Sequence, residues 1–125
     1  MANDSEGHIL VGNTFPFQLI RRPVSITVET PAEFLRHAEG RVVHSFWGHN
    51  DTLEAASLYV GLDLTPRRSR AAITLDKDGY PQLDGISFRT CWIVSAVLPE
   101  RFRPEENKAV GSDRILHWQI LRIQW

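Results

Sequence analysis

The longest apolar run in this 125-residue chain, ISFRTCWIVSAVL at residues 86–98, sets the terms for any fold. It is well short of the ~20 apolar residues that a membrane-spanning helix needs. It is also rich in the β-branched and aromatic side chains that favour strands, so it reads as one long, largely buried strand. RILHWQILRIQW at 114–125 has the same character and reads as a closing strand. VSITVE (24–29) alternates Val24, Ile26 and Val28 with polar partners, the pattern of a strand with one buried face. HILVGN (8–13), VVHSF (42–46) and AAITL (71–75) are shorter apolar strands.

Two helices fall between these strands. TPAE at 30–33 carries a start signal: Thr30 as cap, Pro31 at the first helical position and Glu33 to complete a capping box. That helix runs to about Glu39 and stops at Gly40. The second follows SFWGHNDT and puts Leu53, Ala56 and Val60 on one stripe, with Gly61 as its C-terminal cap. DKDGYPQLDG (76–85) reads as a turn-rich hairpin connection, and 99–113 as a loop. The fold class is therefore α/β: a compact mixed β-sheet flanked by helices. Residues 1–7 read as a disordered leader and 8–125 as a single domain.

Composition narrows the function classes. The chain is 42% hydrophobic and 23% charged with a formal net charge of −1, so no global field draws it to nucleic acid or to an anionic membrane. The polar start MANDSEGH does not resemble a signal peptide, and the expected location is the cytoplasm. The single cysteine, Cys91, cannot form an intrachain disulfide and reads as a buried core thiol. His44 and His49 do not form a zinc motif, and His8, His37 and His117 are scattered. DKDG lacks the later ligands of a calcium loop. No metal or cofactor is expected. Trp47, Trp92, Trp118 and Trp125 read as core or interface anchors, and no RNA-binding signature is present.

Three groups of residues could carry chemistry. In GHNDT (48–52), Gly48 lets backbone approach a ligand, and the free N–H groups of the helix start suit an anion. Asn50, Asp51 and Thr52 either cap the helix or contact a ligand. His49 either serves the turn or acts on what is bound there. Arg67, Arg68 and Arg70, with Arg101 and Arg103, form either solvated basic turns or forks for phosphate oxygens. Glu100 follows the long strand, where a carboxylate either lies on the surface or orients a histidine.

Taken together these residues resemble a known family, over nearly the whole domain from about Ile9 to Trp125. The family comprises small dimeric proteins of archaeal viruses, with phage and cellular relatives, and includes the viral anti-CRISPR ring nucleases. Ser45, Gly48, His49 and Thr52 match its S-x-x-G-H-x-x-T. Gly61 and Arg68 follow at its spacing of seven, Asn13 stands at the end of the first strand, and Leu98 and Glu100 match its L-x-E. WQILRIQ is similar to its last strand. The resemblance implies a homodimer with ligand in the cleft between subunits, and metal-free cleavage of cyclic tetra-adenylate, the second messenger of type III CRISPR defence. It makes His49 the general acid and Glu100 its supporting carboxylate. Asn13, Gly48, Thr52 and Arg68 would contact the ring, with Asn50 beside them and Arg101 as a possible substitute for a missing clamp residue. Neither long nucleic acid nor membrane is an expected partner. The chain departs from the pattern at Ala96 and Val97, where the ring nucleases carry Gln-Arg, at Pro16 in place of a serine, and in a longer hairpin at 76–85. Those losses keep a second function open: a non-catalytic protein of the same fold that sequesters a cyclic nucleotide.

Overall fold

The computed structural model describes residues 6–47, 50–66, 72–97 and 117–125, with backbone alone at 50–52, 97 and 117. Its elements run β1 (His8–Gly12), a 3-10 turn (Phe17–Leu19), β2 (Ser25–Glu29), α1 (Pro31–Ala38), β3 (Val42–Ser45), α2 (Asn50–Val60), β4 (Thr74–Leu75), β5 (Pro81–Leu83), β6 (Ile86–Ser87), β7 (Thr90–Val97) and β8 (His117–Gln124). Five strands form the main sheet in the order β2-β8-β7-β1-β3, and β4-β5-β6 form a small second sheet. β1 is parallel to both β3 and β7, whereas β8 is antiparallel to β7 and β2. The mixed α/β architecture expected from the sequence is present.

The main sheet is covered on both faces, which is why its central strand carries an unbroken apolar run at Cys91–Val94. Cys91, Trp92, Ile93 and Val94 of β7 are all buried. On one face Ile9, Val11, Trp92, Val94 and Ile120 meet Phe34 and Ala38 of α1 and Ala56 and Val60 of α2. Phe34 is fully buried edge-on to Trp92, with ring centroids 5.4 Å apart. Burying a side chain of this size contributes about 1.5–3 kcal/mol. On the other face Leu10, Cys91, Ile93 and Ile123 pack with Phe15, Leu83 and Phe88. Burial pushes the Cys91 thiol well above its ordinary range, as expected of a core thiol.

Local signals operate as the sequence indicates, with some exceptions. Thr30 caps α1 by accepting from the Glu33 N–H at 3.1 Å. The reciprocal half of the capping box is replaced, because the Glu33 carboxylate pairs with Arg36 at 2.6 Å. Gly61 ends α2 at φ +76°, where its N–H and that of Leu62 both reach the Ser57 carbonyl. The apolar run at 86–98 is not one strand. β6 belongs to the small sheet, and the chain crosses to the main sheet at Phe88–Arg89 before β7 begins. The 76–85 segment is likewise more than a connection. Asp76 Oδ1 accepts from the N–H groups of Asp78 and Tyr80 to make a tight turn, and β5 follows before Asp84–Gly85 turns again.

β2 forms, but its expected buried face does not. It lies at the sheet edge, beyond the cover of the small sheet, so Ile26 and Val28 are 49% and 69% exposed. Residues 1–5 of the expected leader lie outside the described residues, while the Gly7 carbonyl already accepts from Val42 N–H at 2.8 Å. Among the described residues no helix is long and apolar enough to cross a membrane.

Candidate functional site at the carboxyl ends of the parallel strands

β3, β1 and β7 are neighbours and parallel, so their carboxyl ends open on the same side of the sheet. β3 ends at Ser45, level with Val11 of β1 and Trp92 of β7, and β7 runs on for five more residues, about 16 Å, before it ends at Val97. Open α/β sheets place ligands at this end, beyond the strands and beside the following helix starts.

The described part of the motif lies at this end. Asn13 directly follows β1 and is half-buried. Ser45 ends β3, and Phe46 and Trp47 lead toward Gly48 and His49. α2 begins at Asn50, so the backbone of Asn50 and Thr52 forms its first turn. Glu100 comes three residues after β7 ends at Val97. Of the expected site residues, Gly48, His49, Arg68, Glu100 and Arg101 lie outside the described residues, as do the side chains of Asn50 and Thr52.

Two described features show how closely this end is built. A Cβ on Gly12 would lie 2.3 Å from the Phe46 ring, so only glycine lets the end of β1 pass beneath the start of the motif. Phe46 is fixed in turn by its N–H to the Val11 carbonyl at 3.0 Å and by an edge-on contact with Phe15. Ser45 is 1% exposed, and its Oγ is buried without a hydrogen-bond partner. Leaving a hydroxyl in that state costs about 1–3 kcal/mol. Of the departures from the family pattern, Ala96 sits in β7 opposite Trp118, and Pro16 precedes the 3-10 turn.

Of the tryptophans read as core or interface anchors, Trp47 and Trp92 are buried, while Trp118 and Trp125 are half-buried and each meets another aromatic ring. Trp118 stacks on Tyr59 with centroids 5.9 Å apart, Trp125 meets Phe15 at 5.3 Å, and Ile120 is buried. Among the described residues no group of three His, Cys, Asp or Glu side chains is placed to hold a metal.

The sequence reading missed one cluster altogether. His8 and His44, far apart in the chain, are brought together by the β1–β3 pairing, with His8 Nδ1 2.8 Å from His44 Nε2. His44 Nδ1 is in turn 2.8 Å from Asp84 Oδ2. The signal that could have found it is register: a parallel β1–β3 pair sets His44 beside Leu10, on the face that also carries His8.

No protein-family model matches the chain, and no curated protein matches it in sequence. Its backbone is similar to a solved structure, B116 of Sulfolobus turreted icosahedral virus. The TM-score is 0.52 at 15% identity, over 95% of this chain and 100% of that one. At that identity the likeness establishes a shared fold: the chain has the architecture of a small archaeal-virus protein.

Proposed function

We propose that this protein is a metal-independent ring nuclease that opens a cyclic oligoadenylate, with cyclic tetra-adenylate as its ring, and that it works as a homodimer with the ring in the cleft between subunits. The observation that supports the reading is that Asn13, the chain leading into Gly48–His49 and the first turn of α2 follow the carboxyl ends of β1 and β3, with β7 parallel to β1 and running on in the same direction toward Glu100. The fold shared with an archaeal-virus protein agrees with a role in the contest between virus and host.

The chemistry follows from the residue types. A ribose 2′-oxygen attacks the adjacent phosphorus, the bond to the 5′-oxygen breaks, and a 2′,3′-cyclic phosphate and a 5′-hydroxyl result. Holding nucleophile and leaving group in line supplies much of the acceleration. His49 donates the proton that the leaving oxygen needs, and an imidazole suits that task near neutral pH. Glu100 and the bound phosphate favour its protonated form, against the opposing influence of the α2 start. Asn13, Gly48, Asn50, Thr52 and Arg68 hold the ring, with Arg101 replacing the arginine absent at Val97.

Ala96 and Val97 favour a second reading, in which the same dimer binds a ring and keeps it intact. Incubation with cyclic di-, tri-, tetra- and hexanucleotides, read by mass, separates the two. The proposal expects linear products from one ring in the presence of a chelator. Tight binding with the ring mass unchanged supports sequestration, and no binding to any ring overturns both.

A further inference from the structure

The opposite end of the sheet carries a second set of groups that the ring chemistry does not use. A cavity of about 360 Å³ opens where β1 and β7 begin and β8 ends, lined by Glu6, His8, His37, Arg41, Arg89 and Arg122 among others. That volume is within the range of sites for small molecules.

Behind the cavity runs the Asp84–His44–His8 chain. Asp84 is held at φ +54° in a two-residue Asp-Gly turn, a conformation that aspartate tolerates, and there its carboxylate meets His44. A carboxylate only accepts, so His44 Nδ1 carries its proton and donates to Asp84. In the neutral ring His44 Nε2 then accepts from His8 Nδ1–H. This leaves Nε2 of His8, which of the hydrogen-bonded pair is the histidine that lines the cavity, as the nitrogen open to a proton.

The arginines around it are only partly used. Arg122 pairs with Glu29 at 3.1 Å, but its Nε is buried without a hydrogen-bond partner. Arg41 gives one bond to the His37 carbonyl at 2.9 Å. Arg89 rests on the Tyr80 ring at 4.5 Å. A guanidinium has five N–H donors, so each keeps donors to spare. Glu29 neutralises Arg122 and Glu6 offsets one more arginine. With Asp84 behind His8 as well, three carboxylates stand against the three arginines, so an entering dianion lacks matching positive charge until a histidine takes up a proton.

We propose that this cavity binds the phosphate group of a small phosphate monoester and takes up one proton at His8 as it does so. Protonated His8 then donates through Nε2 to a phosphate oxygen and through Nδ1 to His44, and Asp84 balances the charge from behind. Arg41, Arg89 and Arg122 supply the remaining contacts. His37 of α1 faces the same cavity and is the competing site of protonation.

Imidazole nitrogen spectra of the full-length, ¹⁵N-labelled chain test this, with ribose 5-phosphate titrated at neutral pH and constant ionic strength. The expected result is a saturable shift of His8 Nε2 from an unprotonated to a protonated signal, with the same change in a His49→Ala chain. Losing one charge-assisted bond is expected to weaken binding about tenfold in both His8→Gln and Arg41→Gln, with proton uptake lost only in His8→Gln. Arg41 is exposed, so its variant tests the site even if His8→Gln fails to fold. A His8 ring that ignores the ligand overturns the proposal, as does unchanged affinity in Arg41→Gln or proton uptake confined to His37.

Discussion

Replacing Gly12 by alanine tests how the end of β1 and the start of the motif are fitted together. The added methyl would lie 2.3 Å from two carbons of the Phe46 ring and 2.7 Å from a third. Ordinary contact begins about 1 Å further out, so the ring must move. It has little room, being only 8% exposed and set edge-on to Phe15 at 6.3 Å. Overpacking of this kind costs about 1–3 kcal/mol. Urea unfolding of Gly12→Ala should show that loss as a lower midpoint with an unchanged slope. Shortening the obstructing side chain should return part of it, so Gly12→Ala is expected to cost less in a Phe46→Leu background than alone. The two residues are in contact, and a coupling of at least about 0.5 kcal/mol is expected from the double-mutant cycle. A Gly12→Ala protein as stable as the parent, or two substitutions that simply add, would refute the reasoning.

Other substitutions read single interactions. Thr30→Ala should lower stability by about 0.5–2 kcal/mol through loss of the α1 cap, checked by thermal or urea unfolding. The Cys91 thiol, pushed up by burial, should react with a thiol reagent only at the rate at which the core opens, and immediately in denaturant. Burial works against the Asp76 carboxylate. Hydrogen bonds from Ser87 and from the N–H groups of Tyr80, Asp78 and Gly79 outweigh it and hold the carboxyl below its ordinary value. The stability this contributes is present above the unfolded carboxylate pKa of about 3.9 and is lost as pH falls through the lower folded value. Asp76→Asn should therefore flatten the loss of stability on acidification, and identical acid profiles for the two proteins would contradict that.

What the sequence made legible was what local chemistry decides. The Thr30 cap, the Gly61 stop, the apolar stripe of α2 and the burial of Cys91 each depend on residues within a turn or a single strand. Three misreadings share a different cause. The crossing from one sheet to the other at Phe88–Arg89 has no glycine or proline to announce it, because both sides of the break are apolar. The strand β5 was hidden between two turns whose aspartates and glycines dominate the segment. Ile26 and Val28 alternate as a buried strand should, but alternation does not reveal that β2 lies at an edge without cover. The expected site is read from Ser45, Gly48, His49 and Thr52 because they are close in the chain, and of these Gly48 and His49 lie outside the described residues. The Asp84–His44–His8 chain was not legible, because it depends on register between strands that the sequence leaves open.

The central claim is that His49 protonates the leaving oxygen of a cyclic oligoadenylate, and a rate comparison tests it most directly. Cyclic tetra-adenylate is incubated with the parent protein and with His49→Ala, each in chelator, and the linear product is followed by mass. Cleavage by the parent is expected, with a loss of roughly 10²–10⁴-fold in His49→Ala and ring binding retained by that variant. Equal rates for the two proteins, or cleavage by the parent that chelator abolishes, would contradict it.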